Sequence, residues 1–146
     1  MWRNVVDGYR DLYLIGSDDG IHFDAARKQG TGTWKINACP MDGGGFAVDG
    51  GAVTSAWRRE SNIFLAEPGK PEEDLGPGKD GSIARSKRGI YVVWTKESTI
   101  VAKVPGKVGL QTIGSTGGFV TLLALPDGAV VAAWESRGSI ETRRIE

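Results

Sequence analysis

The sequence predicts an all-β chain built from repeated four-stranded antiparallel units, and three observations carry that prediction. Trp57, Trp94 and Trp134 stand 37 and then 40 residues apart, and an isoleucine follows each six residues on, at Ile63, Ile100 and Ile140. A glycine turn precedes each tryptophan-bearing run, at Gly51, Gly89 and Gly128. The runs themselves are short, rich in β-branched and aromatic residues, and divided by Asp-Gly and Gly-Gly pairs, which suit hairpins whose central residues need positive φ. A repeat of roughly 40 residues made only of short strands is the mark of a radial β array, and four strands per repeat describe a β-propeller blade.

The elements follow in order. One unit rises through Gly45–Val48, turns at Asp49-Gly50-Gly51, continues from Ala52 to Trp57 and returns through Ile63–Ala66. A weaker fourth strand is expected near Glu73–Leu75. The next unit runs Ser82–Arg85, Ile90–Trp94, Ile100–Val104 and Val108–Ile113; the last runs Phe119–Leu125, Ala129–Trp134 and Ile140–Ile145. The chain opens out of phase, since Trp2-Arg3-Asn4 resembles Trp57-Arg58-Arg59. A third strand is expected at Leu12–Ile15 and a fourth from Phe23 to about Lys28. The prediction is a single domain over 1–146 with units at about 1–30, 43–78, 79–116 and 117–146. That is about three blades' worth per chain, from fourteen strands, with the first unit lacking its innermost strand and the last its outermost. Open arcs expose strand edges, so a homodimer closing into one propeller of about six blades is expected.

Composition narrows the function classes. Lys plus Arg and Asp plus Glu number 18 each, and the charges are scattered, so no net field favours nucleic acid or an anionic membrane. No apolar run approaches the ~20 residues of a membrane span, and no secretory leader is legible. The single cysteine, Cys39, makes neither a disulfide nor a thiolate metal site, and no metal or other cofactor is called for.

The segment Gly16–Phe23 resembles the Asp box of sialidases and related BNR-repeat propellers, Ser-x-Asp-x-Gly-x-Thr-Trp. Asp18, Gly20 and Phe23 match; Gly16 stands for the Ser and His22 for the Thr. Trp2–Asn4, Tyr9–Tyr13 and Asn37–Gly44 also resemble bacterial exo-α-sialidase-like proteins. The resemblance implies a structural role for the box: Asp18 accepting hydrogen bonds from its own turn, Gly20 supplying backbone freedom, Phe23 packing into the sheet layer. It also implies a secreted or periplasmic setting. The recurrent tryptophans, with Trp2 joining them, are expected to pack between adjacent sheets. Trp34, outside the repeat, is either packing or a ligand platform.

In a propeller the loops joining second to third strands share a face with the connections between blades. Arg3, Arg10, Asp11, Arg58 and Arg59 fall in the first group, Asn37 and Asp42 in the second. Arginine beside carboxylate suits a carboxylate or polyhydroxylated ligand, so these seven are the candidate ligand-binding residues, converging near Arg10, Arg58 and Asp42. The Trp2–Leu12 loop and the 34–45 connection are longer than their counterparts, and insertions on a rigid scaffold often carry binding. Sialidases use three arginines, a Tyr–Glu nucleophile pair and an Asp acid/base. Here Tyr9 is the one tyrosine placed in a loop, and the Phe-Arg-Ile-Pro motif is absent. The expectation is therefore a non-catalytic module binding a glycan, another polar or anionic ligand, or a protein partner. The alternative is an exo-α-sialidase-type glycoside hydrolase whose site is assembled across chains; a gene fragment with a fold but no evolved activity also stays open.

Overall fold

The computed structural model describes residues 1–145; Glu146, the last residue of the expected final unit, lies outside the described residues. Among the described residues fourteen strands form four antiparallel sheets, each a simple meander in chain order. The first sheet holds β1 (Trp2–Arg3), β2 (Leu12–Leu14) and β3 (Arg27–Lys28). The second holds β4 (Gly45–Asp49), β5 (Ala52–Arg59), β6 (Asn62–Ala66) and β7 (Glu73–Pro77). The third holds β8 (Lys79–Ser86), β9 (Gly89–Lys96), β10 (Thr99–Lys103) and β11 (Gln111–Gly114). The fourth holds β12 (Gly118–Ala124), β13 (Val130–Ser136) and β14 (Ser139–Ile145). The expected all-β class, strand count and strand-by-strand distribution are all present.

Three apolar layers join the sheets in succession. Leu12, Trp57 and Phe64 fill the first junction. Ala56, Ile63, Leu65, Ile83, Val92 and Trp94 are among those filling the second. Tyr91, Val93, Ile100, Val130, Trp134 and Ile145 anchor the third. The repeated tryptophan thus places one large indole at each junction, and glycines give it room. A Cβ at Gly30 would strike Trp57, at Gly78 Trp94, and at Gly117 Trp134. Trp2 departs from this pattern: it lies half-exposed with its ring 6.0 Å from that of Tyr13, on the side of the first sheet away from Leu12.

Two local expectations need correcting. The loops between second and third strands are tight two-residue turns, Glu60-Ser61, Glu97-Ser98 and Arg137-Gly138, because the polar residues around them extend the strands. Arg58 and Arg59 are therefore strand residues at the end of β5, and strand alternation sends their side chains to opposite faces. The expected fourth strand of the first unit is only Arg27–Lys28, because Ile21 to Ala26 lie exposed outside any strand, held by a backbone bond from the Asp24 N–H to the Gly16 carbonyl.

Candidate functional site

One end of the sheets, formed by the β5–β6, β9–β10 and β13–β14 turns and the ends of β1 and β5, gathers the sequence-predicted residues. Arg3 leaves β1 and donates from Nη1 to the Arg10 carbonyl at 2.7 Å, and from Nη2 to the carbonyls of Asp42 and Arg58 at 3.1 Å each. This one side chain ties the first sheet, the second sheet and the long 29–44 connection together. Arg58 Nε lies 3.2 Å from Asp42 Oδ2, an ion pair whose angles fall short of a hydrogen bond. The Trp34 indole is buried against both, with the Arg3 guanidinium 5.3 Å and the Arg58 guanidinium 5.4 Å from its centroid. Cation–π contacts of this kind hold a guanidinium in place without consuming its N–H groups.

Asp11 anchors the other side. Its Oδ1 accepts from the Trp34 backbone N–H at 2.9 Å, and its Oδ2 lies 3.2 Å from Lys28 Nζ. Arg10 N–H donates to the Trp34 carbonyl, so the insertion after β1 and the connection after β3 are stitched to each other. In this cluster, among the described residues, four buried polar atoms remain without a hydrogen bond: the Nε of Arg3, Arg10 and Arg58, and Asp42 Oδ2. Burial pushes the Arg3 guanidinium below its ordinary pKa; the charge of Asp42 opposes this, that of Arg58 adds to it, and that of Asp11 opposes it again. Such a site favours an anion, because desolvated arginines gain most from a bidentate acceptor.

Five of the seven candidates, Arg3, Arg10, Asp11, Asp42 and Arg58, therefore meet around Trp34. Arg59 and Asn37 do not. Arg59 points to the opposite face of β5, where it grips Glu72 with two hydrogen bonds and lies 3.7 Å over the Phe64 ring. Asn37 is exposed. Sequence reasoning missed Glu72, which sits in a Pro/Gly-rich stretch with no pattern of its own. It also missed Lys28 as the partner of Asp11.

The Asp-box segment forms a tight turn, but Asp19 rather than Asp18 closes it. Asp19 Oδ1 accepts from the N–H groups of Ile21 and His22 at 2.8 and 2.7 Å, and Oδ2 lies 2.6 Å from His22 Nδ1. The His22 side-chain hydrogen bond, followed by the backbone N–H bonds, holds the Asp19 carboxyl far below the usual carboxylate range. Phe23 is 59% exposed and does not pack into the sheet layer, because the strand begins four residues later.

Beside Arg58 opens a cavity of about 320 Å³ lined by Arg58, Glu60, Lys79, Thr95 and Glu97 among others. Thr95 Oγ1, on its wall, is buried and has no hydrogen-bond partner. No protein-family model matches the chain, and no curated protein matches it.

Proposed function

We propose that the chain is a sialidase-like β-propeller module that binds an anionic, polyhydroxylated ligand, a glycan above all, without hydrolysing it. The observation that carries this reading is the convergence of Arg3 and Arg58 on Trp34 and Asp42, with the buried Nε groups of Arg3 and Arg10 left unbonded and that of Arg58 met only by its ion pair with Asp42. A purely structural cluster would spend those donors, since an unmet buried N–H costs about 1–3 kcal/mol. The adjoining cavity adds acceptors, Glu60 and Glu97, that suit hydroxyl groups. Binding rather than catalysis is favoured because Arg3 already donates to three protein carbonyls and Arg58 already faces Asp42. Those donors position the loops before any ligand arrives.

The family reading rests on the sequence resemblance of Gly16–Phe23 alone, since Asp19 closes that turn and Phe23 stays exposed, while the succession of four meander sheets supports the propeller. We further propose that two copies close into one ring, of about six blades if the end sheets merge at each junction. Exposed apolar side chains on the outermost sheets support it: Trp2 and Ile15 on the first, Leu123 and Ile140 on the fourth. Light scattering tests closure, with a dimer expected at micromolar concentration and a stable monomer refuting it.

Calorimetric titration with sialosides and uronates tests the ligand. Saturable binding lost in Arg58→Gln is expected; indifference of that binding to Arg58 would sink the reading. A fluorogenic sialoside tested alongside should be bound but not turned over.

A further inference from the structure

The inner strands of the third and fourth sheets depart from the regular ladder at the same place, close to the loop end. β4 pairs with β5 without interruption. On β8, however, the register slips between Lys79 and Ser82, and on β12 between Gly118 and Thr121. Each slip places one more residue on the inner strand than on its partner, which makes it a β-bulge. Bulges re-aim side chains and concentrate beside binding sites. Their bulged residues are Asp80, at φ 55°, and Phe119, at φ 53°. The Phe119 N–H approaches Asp80 Oδ2 at 3.4 Å, so the two bulges adjoin.

A phenylalanine in the left-handed region is strained. Burial does not offset that strain here, because Phe119 is 72% exposed. Glycine, which costs nothing sterically at that φ, fills the two preceding positions, Gly117 and Gly118, yet the bulged position itself carries an aromatic ring. Lys79, next to Asp80, lines the cavity that Arg58 also lines.

We propose that Phe119 and Asp80 form a carbohydrate platform. Phe119 would take the apolar C–H face of a pyranose ring, and Asp80 would accept from its hydroxyls. Arg58 and Lys79 would hold an acidic substituent of the same sugar. The proposal rests on the ligand reading above and narrows it to acidic pyranosides.

Titration calorimetry with a uronate-terminated and a sialic-acid-terminated oligosaccharide, their neutral counterparts and acetate tests it. Phe119→Gly should weaken binding of an acidic oligosaccharide at least tenfold, leave any acetate binding unchanged, and keep or raise Tm because glycine relieves the strain. Arg58→Gln should abolish the same binding, with Lys79→Met serving where Arg58→Gln fails to fold. Acidic-sugar binding that survives Phe119→Gly but is lost with Arg58 overturns the platform and leaves the anion site standing. No binding by any sugar overturns both. A Phe119→Gly protein that melts several degrees lower, or changes its assembly state, assigns Phe119 to packing or to an interface between copies and overturns the platform as well.

Discussion

The Arg59 guanidinium clasps both carboxylate oxygens of Glu72, at 3.0 and 2.6 Å, across the gap between β5 and the segment that leads into β7. The side chains are 16% and 9% exposed, and Glu72 Oε2 also accepts from the Thr31 N–H at 3.0 Å. The pair therefore fastens the 29–44 connection, which carries Trp34 and Asp42, onto the second sheet. In the sequence Arg59 reads as a loop residue and a candidate ligand contact. Its partner makes it a clamp instead.

Removing one member of this largely buried pair leaves the other uncompensated, so Arg59→Ala should cost about 3 kcal/mol. Its melting temperature, set beside that of the exposed control Lys107→Ala, checks this. Equal melting of the two variants would show that the clamp carries nothing.

The same pair sets a pH dependence. Burial pushes the Glu72 carboxyl up, but hydrogen bonding and charge from Arg59, with the Thr31 and Gly32 N–H groups, outweigh it and hold the pKa below its ordinary value. A carboxyl depressed in the folded state contributes stability that is present above its unfolded pKa, about 4.3. That contribution fades as pH falls through the folded value. Denaturant titrations from pH 7 to 3 should show stability falling most steeply below about pH 4.3. Glu72→Gln should flatten that limb; an identical slope in both proteins would assign the acid sensitivity elsewhere.

Much of the fold was legible because strand period and turn chemistry are local. The Gly50-Gly51 turn, the Trp–Ile spacing and the apolar runs each act within a few residues, and all fourteen strands came out in order. What failed was decided by long-range partners or by strand length. Arg58 and Arg59 look alike in sequence, yet alternation along β5 gives one to Trp34 and Asp42 and the other to Glu72 and Phe64. Asp18 and Asp19 differ by one position, and only the turn geometry selects Asp19. Trp34 stood between packing and ligand platform in the sequence; it is buried and serves as the wall against which two arginines lie.

Trp94 fills the second junction with no exposed surface, and its Nε1–H donates to the Pro77 carbonyl at 3.0 Å. Trp94→Ala should cost roughly 3–5 kcal/mol, the cavity cost of a large buried aromatic. Chemical denaturation of the two proteins measures it directly. A loss under about 1 kcal/mol would mean that the sheets close around the gap or that the register is wrong.

Asp42 supplies the negative charge nearest to the Arg3–Arg58 pair, and its own Oδ2 is buried without a hydrogen bond. Asp42→Asn keeps the shape but leaves the Arg58 guanidinium without its carboxylate, a loss of about 3 kcal/mol by the cost of breaking a partly buried pair. An anion entering the same space replaces the missing charge. Added sulfate should therefore stabilise Asp42→Asn more than the parent, because a ligand that binds only the folded state adds stability as its concentration rises above Kd. The check is thermal unfolding of both proteins in sodium sulfate against sodium chloride of equal ionic strength. A larger sulfate-specific rise in Tm for Asp42→Asn identifies the arginine cluster as the anion-binding centre. Parallel rises in both proteins would place the anion effect outside it, and the ligand reading of the loop end would fall with that result.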